Sequence, residues 1–76
     1  MTTRALRRID TLTAQLSALS AERELAISRA LAAGATWAEI AQSLGTSAQA
    51  AAHRRYRWLR HSEKTGTVWY ERPLPL

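Results

Sequence analysis

Apolar side chains recur at intervals of three and four residues along the first third of the chain. The spacing of a coiled-coil seam is carried by Ile9, Leu12, Leu16 and Leu19. Residues 4–33 contain neither proline nor glycine and are rich in Ala, Leu, Arg and Glu, which favour helix. The pattern predicts a long N-terminal helix, and these four residues are its candidate dimer interface.

Two features leave the use of this helix open. Most apolar helix faces pack against the rest of their own chain, and two heptads are short for a free-standing coiled coil. Ser20 is followed by acidic Glu22 and Glu24, an arrangement typical of an N-cap that would divide the segment into two helices. An unbroken helix would instead form a rod of about 45 Å that requires a partner surface.

A second, shorter helix is predicted after Gly34, which is placed to end the first one. Thr36 and Glu39 have the spacing of a capping box, in which the hydroxyl and the carboxylate each accept a backbone N–H. One buried face of about two turns is formed by Trp37, Ile40, Ala41 and Leu44. Gly45 then stops this helix.

The pattern predicts a third helix, capped by Thr46 or Ser47 and running to about His61 or Glu63. Beyond it, residues 64–67 are turn-like, residues 68–70 favour strand, and two prolines follow. We expect an extended tail that packs its aromatic side chains on the domain or on a second subunit. A small wing is the alternative, but its other strand would need residues 58–62, which the third helix already uses.

The predicted fold is therefore all-α: a long N-terminal helix, a helix-turn-helix and a short extended C-terminal tail. The corresponding segments are residues 1–20, a dimerising helix; residues 21–63, the helix-turn-helix domain; and residues 64–76, the tail. A chain of 76 residues has room for one such domain.

The composition of the chain favours some kinds of partner and argues against several kinds of functional site. Eleven basic and six acidic residues give a net charge of +5, which predicts an anionic partner. Cysteine is absent, and no apolar run approaches the roughly 20 residues that span a bilayer. Asp10 is the only aspartate, and His53 and His61 have no carboxylate pair near them in the sequence. We therefore expect no enzyme, metal, cofactor or small-molecule ligand, and no membrane association.

Residues 36–57, TWAEIAQSLGTSAQAAAHRRYR, resemble the helix-turn-helix of bacterial DNA-binding proteins. Ala41 stands at the small position where two helices cross closely, and Gly45, four residues later, is the glycine of the turn. A Leu-periodic helix followed by this motif is similar to small helix-turn-helix regulators of high-GC genomes, actinobacterial or phage. The resemblance implies a homodimeric regulator of transcription that binds double-stranded DNA in the cytoplasm, at the nucleoid, and represses by occlusion.

The resemblance also assigns roles to residues, because the third helix of such proteins enters the major groove. A helical wheel buries a stripe formed by Ala48, Ala52, Tyr56 and Leu59. Base contacts are expected from Ser47, Gln49, His53, Arg54 and Arg57. Phosphate contacts are expected from Thr36, Arg55, Arg60 and Lys64.

Three alternatives stay open at this point. The arginine run could be a solvated helix face with no partner. The chain could be a nucleoid-associated, architectural protein that binds DNA with little sequence preference. It could also be a protein–protein adaptor of the transcription machinery, with the apolar stripe and the aromatic tail as its working surfaces.

Overall fold

The computed structural model describes residues 2–73, and this part of the chain is mostly helical. Its elements, in chain order, are α1 (Thr2–Ala32), α2 (Trp37–Ser43), α3 (Gln49–Tyr56), β1 (Leu59–His61) and β2 (Val68–Tyr70). The three predicted helices are present. The two strands form a small antiparallel sheet, so the all-α prediction is only roughly correct.

Helix α1 runs without a break through Ser20, where an N-cap was one of the two interpretations. Within the helix, Ser20 Oγ lies 3.5 Å from the Glu24 carboxylate, one turn further on. The 31 residues of α1 account for the elongated shape of the molecule, whose principal extents are 49 × 29 × 29 Å. Only the last third of the helix contacts the other elements through buried side chains, chiefly Ile27 and Ser28.

Two glycine-centred turns of the same kind end α1 and α2. After α1, the Ala35 N–H bonds to the carbonyl of Ala30 at 2.9 Å and the Gly34 N–H to that of Leu31 at 3.1 Å. After α2, Thr46 and Gly45 repeat this pair of bonds at 3.0 Å each. This is the Schellman arrangement, and it places Gly34 at φ 99° and Gly45 at φ 77°. The predicted stop positions of both helices are confirmed.

A single core forms where α1, α2, α3 and the hairpin meet. Its buried members are Ile27, Ile40, Tyr56 and Leu59. Ala41 is only 2% exposed, and α2 and α3 pack directly on each other, which agrees with its predicted role at a close crossing. Residues 24–73, which include this core and the elements around it, are called the body below.

The chain beyond α3 corrects the predicted helix and tail. Helix α3 ends at Tyr56, and β1 pairs with β2 in the register Leu59↔Tyr70, Arg60↔Trp69 and His61↔Val68. The physical reason is burial: Leu59 turns into the core, with 3% exposure, while Arg60 points outward. Strand geometry provides this alternation, and the residues favouring strand at 68–70 supply the partner.

The first part of α1, residues 2–20, is called the rod. The large apolar side chains of the rod are exposed, by 58% for Leu6, 56% for Ile9, 41% for Leu12, 69% for Leu16 and 61% for Leu19. The interpretation in which this stripe packs on its own chain is therefore wrong for the described residues. None of the helices within residues 2–73 is long and apolar enough to cross a membrane.

Candidate nucleic-acid interface

Helix α3 presents a polar, basic face on the side opposite its buried residues. Ala52 and Tyr56 face the core, and Arg54, half a turn away from them, is exposed. The predicted buried stripe is correct for Ala52, Tyr56 and Leu59, but Ala48 is exposed. Ala48 is the N-cap residue, so it precedes the helical turns to which the wheel applies.

The start of α3 differs from the prediction by two residues. The helix begins at Gln49, and neither Thr46 nor Ser47 occupies the cap position. Instead, the Ala48 N–H donates to Thr46 Oγ1 at 3.0 Å, and the Gln49 N–H donates to the Ser47 carbonyl at 3.0 Å. Ser47 therefore lies in the turn, beside the first residues of the helix, with its hydroxyl free of this capping interaction.

Three of the predicted base-contacting residues lie together at the N-terminal end of α3. Ser47, Gln49 and His53 line one shallow surface depression with Trp37. The His53 and Trp37 rings meet edge to face, with centroids 5.0 Å apart and planes at 75°. This contact holds the imidazole against α2, so His53 is fixed in position before any ligand arrives.

Arg54 and Arg55 of α3 and the C-cap residue Arg57 are exposed, and two of these three arginines stack on aromatic rings. Arg55 lies 5.3 Å from the centroid of the Tyr56 ring, and Arg57 lies 5.2 Å from that of the Trp58 ring. Within residues 2–73, no carboxylate lies within 4 Å of Arg54, Arg55 or Arg57. Their positive charge is thus uncompensated by the body, which suits an anionic ligand.

Arg60 and Lys64 lie on the hairpin rather than on the third helix, where they were predicted. Arg60 Nη1 donates to the carbonyls of Leu59 at 2.9 Å and Arg57 at 3.2 Å, and Arg60 Nε lies 3.8 Å from Glu71. Much of the Arg60 guanidinium is therefore engaged within the chain. Lys64 occupies the exposed turn between the strands.

Thr36 is engaged in the capping box at the start of α2. Its hydroxyl oxygen accepts from the Glu39 N–H at 3.1 Å, and Glu39 Oε1 accepts from the Thr36 N–H at 2.9 Å and the Thr36 hydroxyl at 3.0 Å. These bonds lower the pKa of Glu39 below its ordinary value. The capping box is confirmed, and the Thr36 hydroxyl both donates and accepts within it.

A polar network that the sequence did not indicate fastens the hairpin to α1. His61 Nδ1 lies 2.7 Å from Ser28 Oγ, and His61 Nε2 lies 2.7 Å from Glu63 Oε1. Arg29 then donates to both oxygens of Glu63, at 3.0 and 3.1 Å. The bonds from Arg29 and His61 lower the pKa of Glu63.

The order hydroxyl, imidazole, carboxylate in this network is that of a nucleophilic triad, whose parts seemed absent from the sequence. Its geometry favours a structural role. Ser28 is 5% exposed, and Arg29 occupies both oxygens of Glu63. The partners are 33 and 34 residues apart, so no local spacing could have revealed them. Among residues 2–73, no group of three potential ligands from His, Asp and Glu could hold a metal ion.

The predicted site residues therefore fall into three regions. Ser47, Gln49, His53, Arg54, Arg55 and Arg57 lie on or beside α3, Thr36 lies at the start of α2, and Arg60 and Lys64 lie on the hairpin. The candidate dimer residues lie apart from all of these, on the rod. Comparison of the chain with family models, curated proteins and solved structures gives no match.

Proposed function

We propose that the protein is a sequence-specific, homodimeric DNA-binding regulator of transcription that inserts α3 into the major groove. The observation that carries this proposal is the exposed basic face of α3, which has no carboxylate partner among the described residues. The α2–α3 packing around Ala41 and the Schellman turn at Gly45 hold this helix rigidly against the core. A rigid, protruding, basic helix is what major-groove recognition requires.

The side chains on this helix have suitable chemistry for direct contact with base edges. An arginine can donate two parallel bonds to guanine O6 and N7, and a glutamine can pair with adenine N6 and N7. Arg54 and Arg57 on the outer face, and Gln49 at the N-terminal end, are the residues to which we assign these contacts. Ser47 and His53 flank Gln49 and would contribute shorter bonds at the same end of the helix.

The hairpin adds a second basic element beside α3. It begins only two residues after α3 ends, and Lys64 is exposed in its turn. We infer that it acts as a small wing whose lysine contacts phosphate next to the groove. Arg55 is also placed for phosphate contact, whereas Arg60 and Thr36 are already bonded within the chain and contribute less. Such contacts position the protein without specifying sequence.

The regulatory part of the proposal follows from the small size of the body and the exposed rod. A protein that binds DNA through one such helix regulates most simply by occluding the DNA that it occupies. The exposed stripe of the rod would join two copies, so that two α3 helices contact two half-sites. Occupancy would then depend on protein concentration or on a further protein partner.

The test of DNA binding removes two positive charges from the α3 region and compares the resulting DNA affinity with that of a variant that lacks two positive charges on the rod. Sequences selected from random duplex DNA would be titrated with the wild type, with Arg54→Ala/Arg57→Ala, and with the matched control Arg4→Ala/Arg7→Ala on the rod. Loss of two bidentate contacts per subunit should weaken binding to the selected sequence by about a hundredfold or more. The control should weaken it only slightly, and similarly for any duplex.

Two outcomes would replace the proposal with its alternatives. If selected and random duplexes differ by about tenfold or less at fixed salt, the protein is an architectural binder without useful specificity. If the α3 variant binds and functions like the wild type, the basic helix is not the working surface. The adaptor interpretation, in which the stripe and the exposed Trp69 and Tyr70 bind a protein, would then be favoured.

A further inference from the structure

Four of the five exposed large apolar residues of the rod are placed symmetrically about Ala14, and the fifth, Leu6, lies outside this seam, with Glu22 at its mirror position. Ile9 and Leu19 lie five residues on either side of Ala14, and Leu12 and Leu16 lie two residues on either side. In the heptad, Ile9 and Leu16 occupy position a, and Leu12 and Leu19 occupy position d. Reversing the helix therefore exchanges a with d and leaves the pattern of these four residues unchanged.

The charges on α1 are not symmetric. Arg4, Arg7 and Arg8 lie at the N-terminal end, together with Asp10, and Glu22 and Glu24 lie after the seam on either side of Arg23. Two copies aligned in parallel would bring six arginines to one end, close to a single axis. Two copies aligned in opposite directions would place the net positive end of each helix beside the end of the other copy that carries Glu22, Arg23 and Glu24, which is net negative. At the flanking position g, Arg8 would then face Glu22 of the partner subunit.

We propose that α1 pairs with α1 of a second copy in antiparallel orientation, centred on Ala14. Each layer then joins position a of one helix to position d of the other: Ile9 packs on the partner's Leu19, and Leu12 on the partner's Leu16. This pairing covers the four seam residues, which are 41% to 69% exposed in one copy. A second copy is the occupant because the spacing of the four seam residues is the same in reverse and Arg8 then faces the partner's Glu22.

The antiparallel arrangement has a geometric consequence that deepens the proposed function and rests on its homodimer. The residues of α1 that enter the core all lie to one side of the seam: at about 100° per residue, Ile27, Leu31 and Ser28 are about 40°, 80° and 140° around the helix from its centre. The two-fold axis of an antiparallel pair is perpendicular to the plane of the two helices. Rotation about this axis keeps every part of the molecule on the same side of that plane. The bodies of the two copies therefore lie on the same side of the helix pair.

The spacing of the two bodies follows from the rise of the helix. Ile27 lies 13 residues from the centre at Ala14, so the two Ile27 side chains are about 40 Å apart along the pair. One helical turn of B-DNA separates half-sites by about 34–36 Å. The antiparallel pair thus presents two bodies to one side of a duplex at close to a one-turn separation, and an inverted repeat of this spacing is the expected operator.

Orientation can be tested by disulfide formation, because the chain contains no cysteine of its own. Ile9→Cys and Leu19→Cys, one of them carrying a size tag, would be mixed under reducing conditions and then oxidised. Antiparallel pairing brings position 9 next to the partner's position 19, so the mixed disulfide should dominate over both like pairs. Ala14→Cys, which points away from the seam, is the control and should not cross-link. Because the substituted side chains are all exposed, the body should fold in every variant.

Parallel pairing predicts the opposite result, with 9–9 and 19–19 disulfides and little of the mixed product, and this would overturn the proposal. Absence of any cross-link, together with a monomeric mass in solution, would overturn it as well. Neither measurement involves DNA. Failure of DNA binding with a dominant 9–19 disulfide would therefore reject the proposed function and leave the antiparallel pair standing.

A charge exchange provides an independent test of the same orientation. Arg8→Glu places glutamate opposite the partner's Glu22 at both ends of the pair, and the dimer dissociation constant should rise by about five- to tenfold at low salt. Adding Glu22→Arg should restore it. In a parallel pair, position 8 faces the partner's uncharged Thr13, so the single change would relieve arginine repulsion and tighten the dimer. That result would contradict the proposal.

Discussion

The rod and the body bury their apolar side chains in different ways, although one helix runs through both. In the body, Ile27, Ile40, Tyr56 and Leu59 are all less than 7% exposed. In the rod, the least exposed large apolar residue, Leu12, is 41% exposed. The body is therefore stabilised by its own apolar core, whereas the apolar face of the rod is in contact with no other described part of the chain. Burial of that face by a second copy is what we propose.

The polar contacts differ in the same way. In the body, the Ser28–His61 and Arg29–Glu63 pairs join residues more than 30 positions apart and fix the hairpin on α1. Between residues 2 and 20, no side-chain hydrogen bond joins distant parts of the chain. The side-chain bond found there is local, from Ser20 to Glu24 one turn further on. An isolated helix of the rod's length is marginal in water, so we expect its stability to depend on continuity with the body and on the proposed pairing with a second copy.

The largest expected effect comes from the core of the body. Tyr56→Ala should lower the free energy of unfolding by about 3–5 kcal/mol, because it removes a large side chain that is 3% exposed. Urea unfolding, carried out at a protein concentration below the dissociation constant of the proposed dimer, measures this free energy. Leu16→Ala on the rod should cost less than about 0.5 kcal/mol under the same conditions. Equal losses from the two variants would contradict the separation of rod and body.

The second effect concerns the rod alone. Leu16→Glu places two charges within the apolar seam and should convert the dimer to a monomer of 8.5 kDa, as measured by light scattering. The near-ultraviolet circular dichroism of the tryptophans, all of which lie in the body, should stay the same. A wild-type protein that is already monomeric at high concentration would refute the role assigned to the stripe.

A smaller effect is expected at the turn that orients α3. Gly45 has φ 77°, and a Cβ added there would meet nothing within 4 Å, so the cost of Gly45→Ala is backbone strain alone. The body should lose about 1–2 kcal/mol of stability. Gly45→Asn is the matched control and should lose less, because asparagine tolerates positive φ. Equal losses would indicate that the turn is not strained in the way described.

The smallest expected effect is that the stability of the contact between the hairpin and α1 depends on pH. The pKa of Glu63 is lowered from 4.5, so the stability that it contributes is present above that pH and is lost as the pH falls through the lowered value. Glu63→Gln should remove part of the acid-induced loss of hairpin protection in hydrogen exchange. Glu71→Gln, at the distant 3.8 Å pair with Arg60, should change it less.

The parts of the fold that depend on local chemistry were predictable from the sequence. Gly34 and Gly45 stop their helices, and Thr36 with Glu39 starts α2, because each signal acts within a few residues. The segment after Tyr56 was not predictable in this way. Its residues tolerate both helix and strand, and the choice between them is made by pairing with residues 68–70 and by the contact of His61 with Ser28.

The same distinction applies to the candidate site. The outward position of Arg54 follows from helical periodicity, and the structure agrees with it. Arg60 was assigned to the helix by extending that periodicity past Tyr56, and it lies on β1 instead. The aromatic contacts of Arg57 and His53 depend on side-chain geometry that no spacing rule describes. DNA binding, dimerisation and the roles of individual residues remain predictions that the experiments above address.

The unbroken course of α1 makes the direction of the body a periodic function of residue number. One residue inserted between Leu19 and Glu24 would rotate the body by about 100° relative to the apolar seam and advance it by about 1.5 Å. Two residues would turn it to nearly the opposite side, whereas four would return it to within about 40° of its original direction, displaced by about 6 Å. Only insertions close to a whole number of helical turns therefore keep the direction of the body relative to the seam.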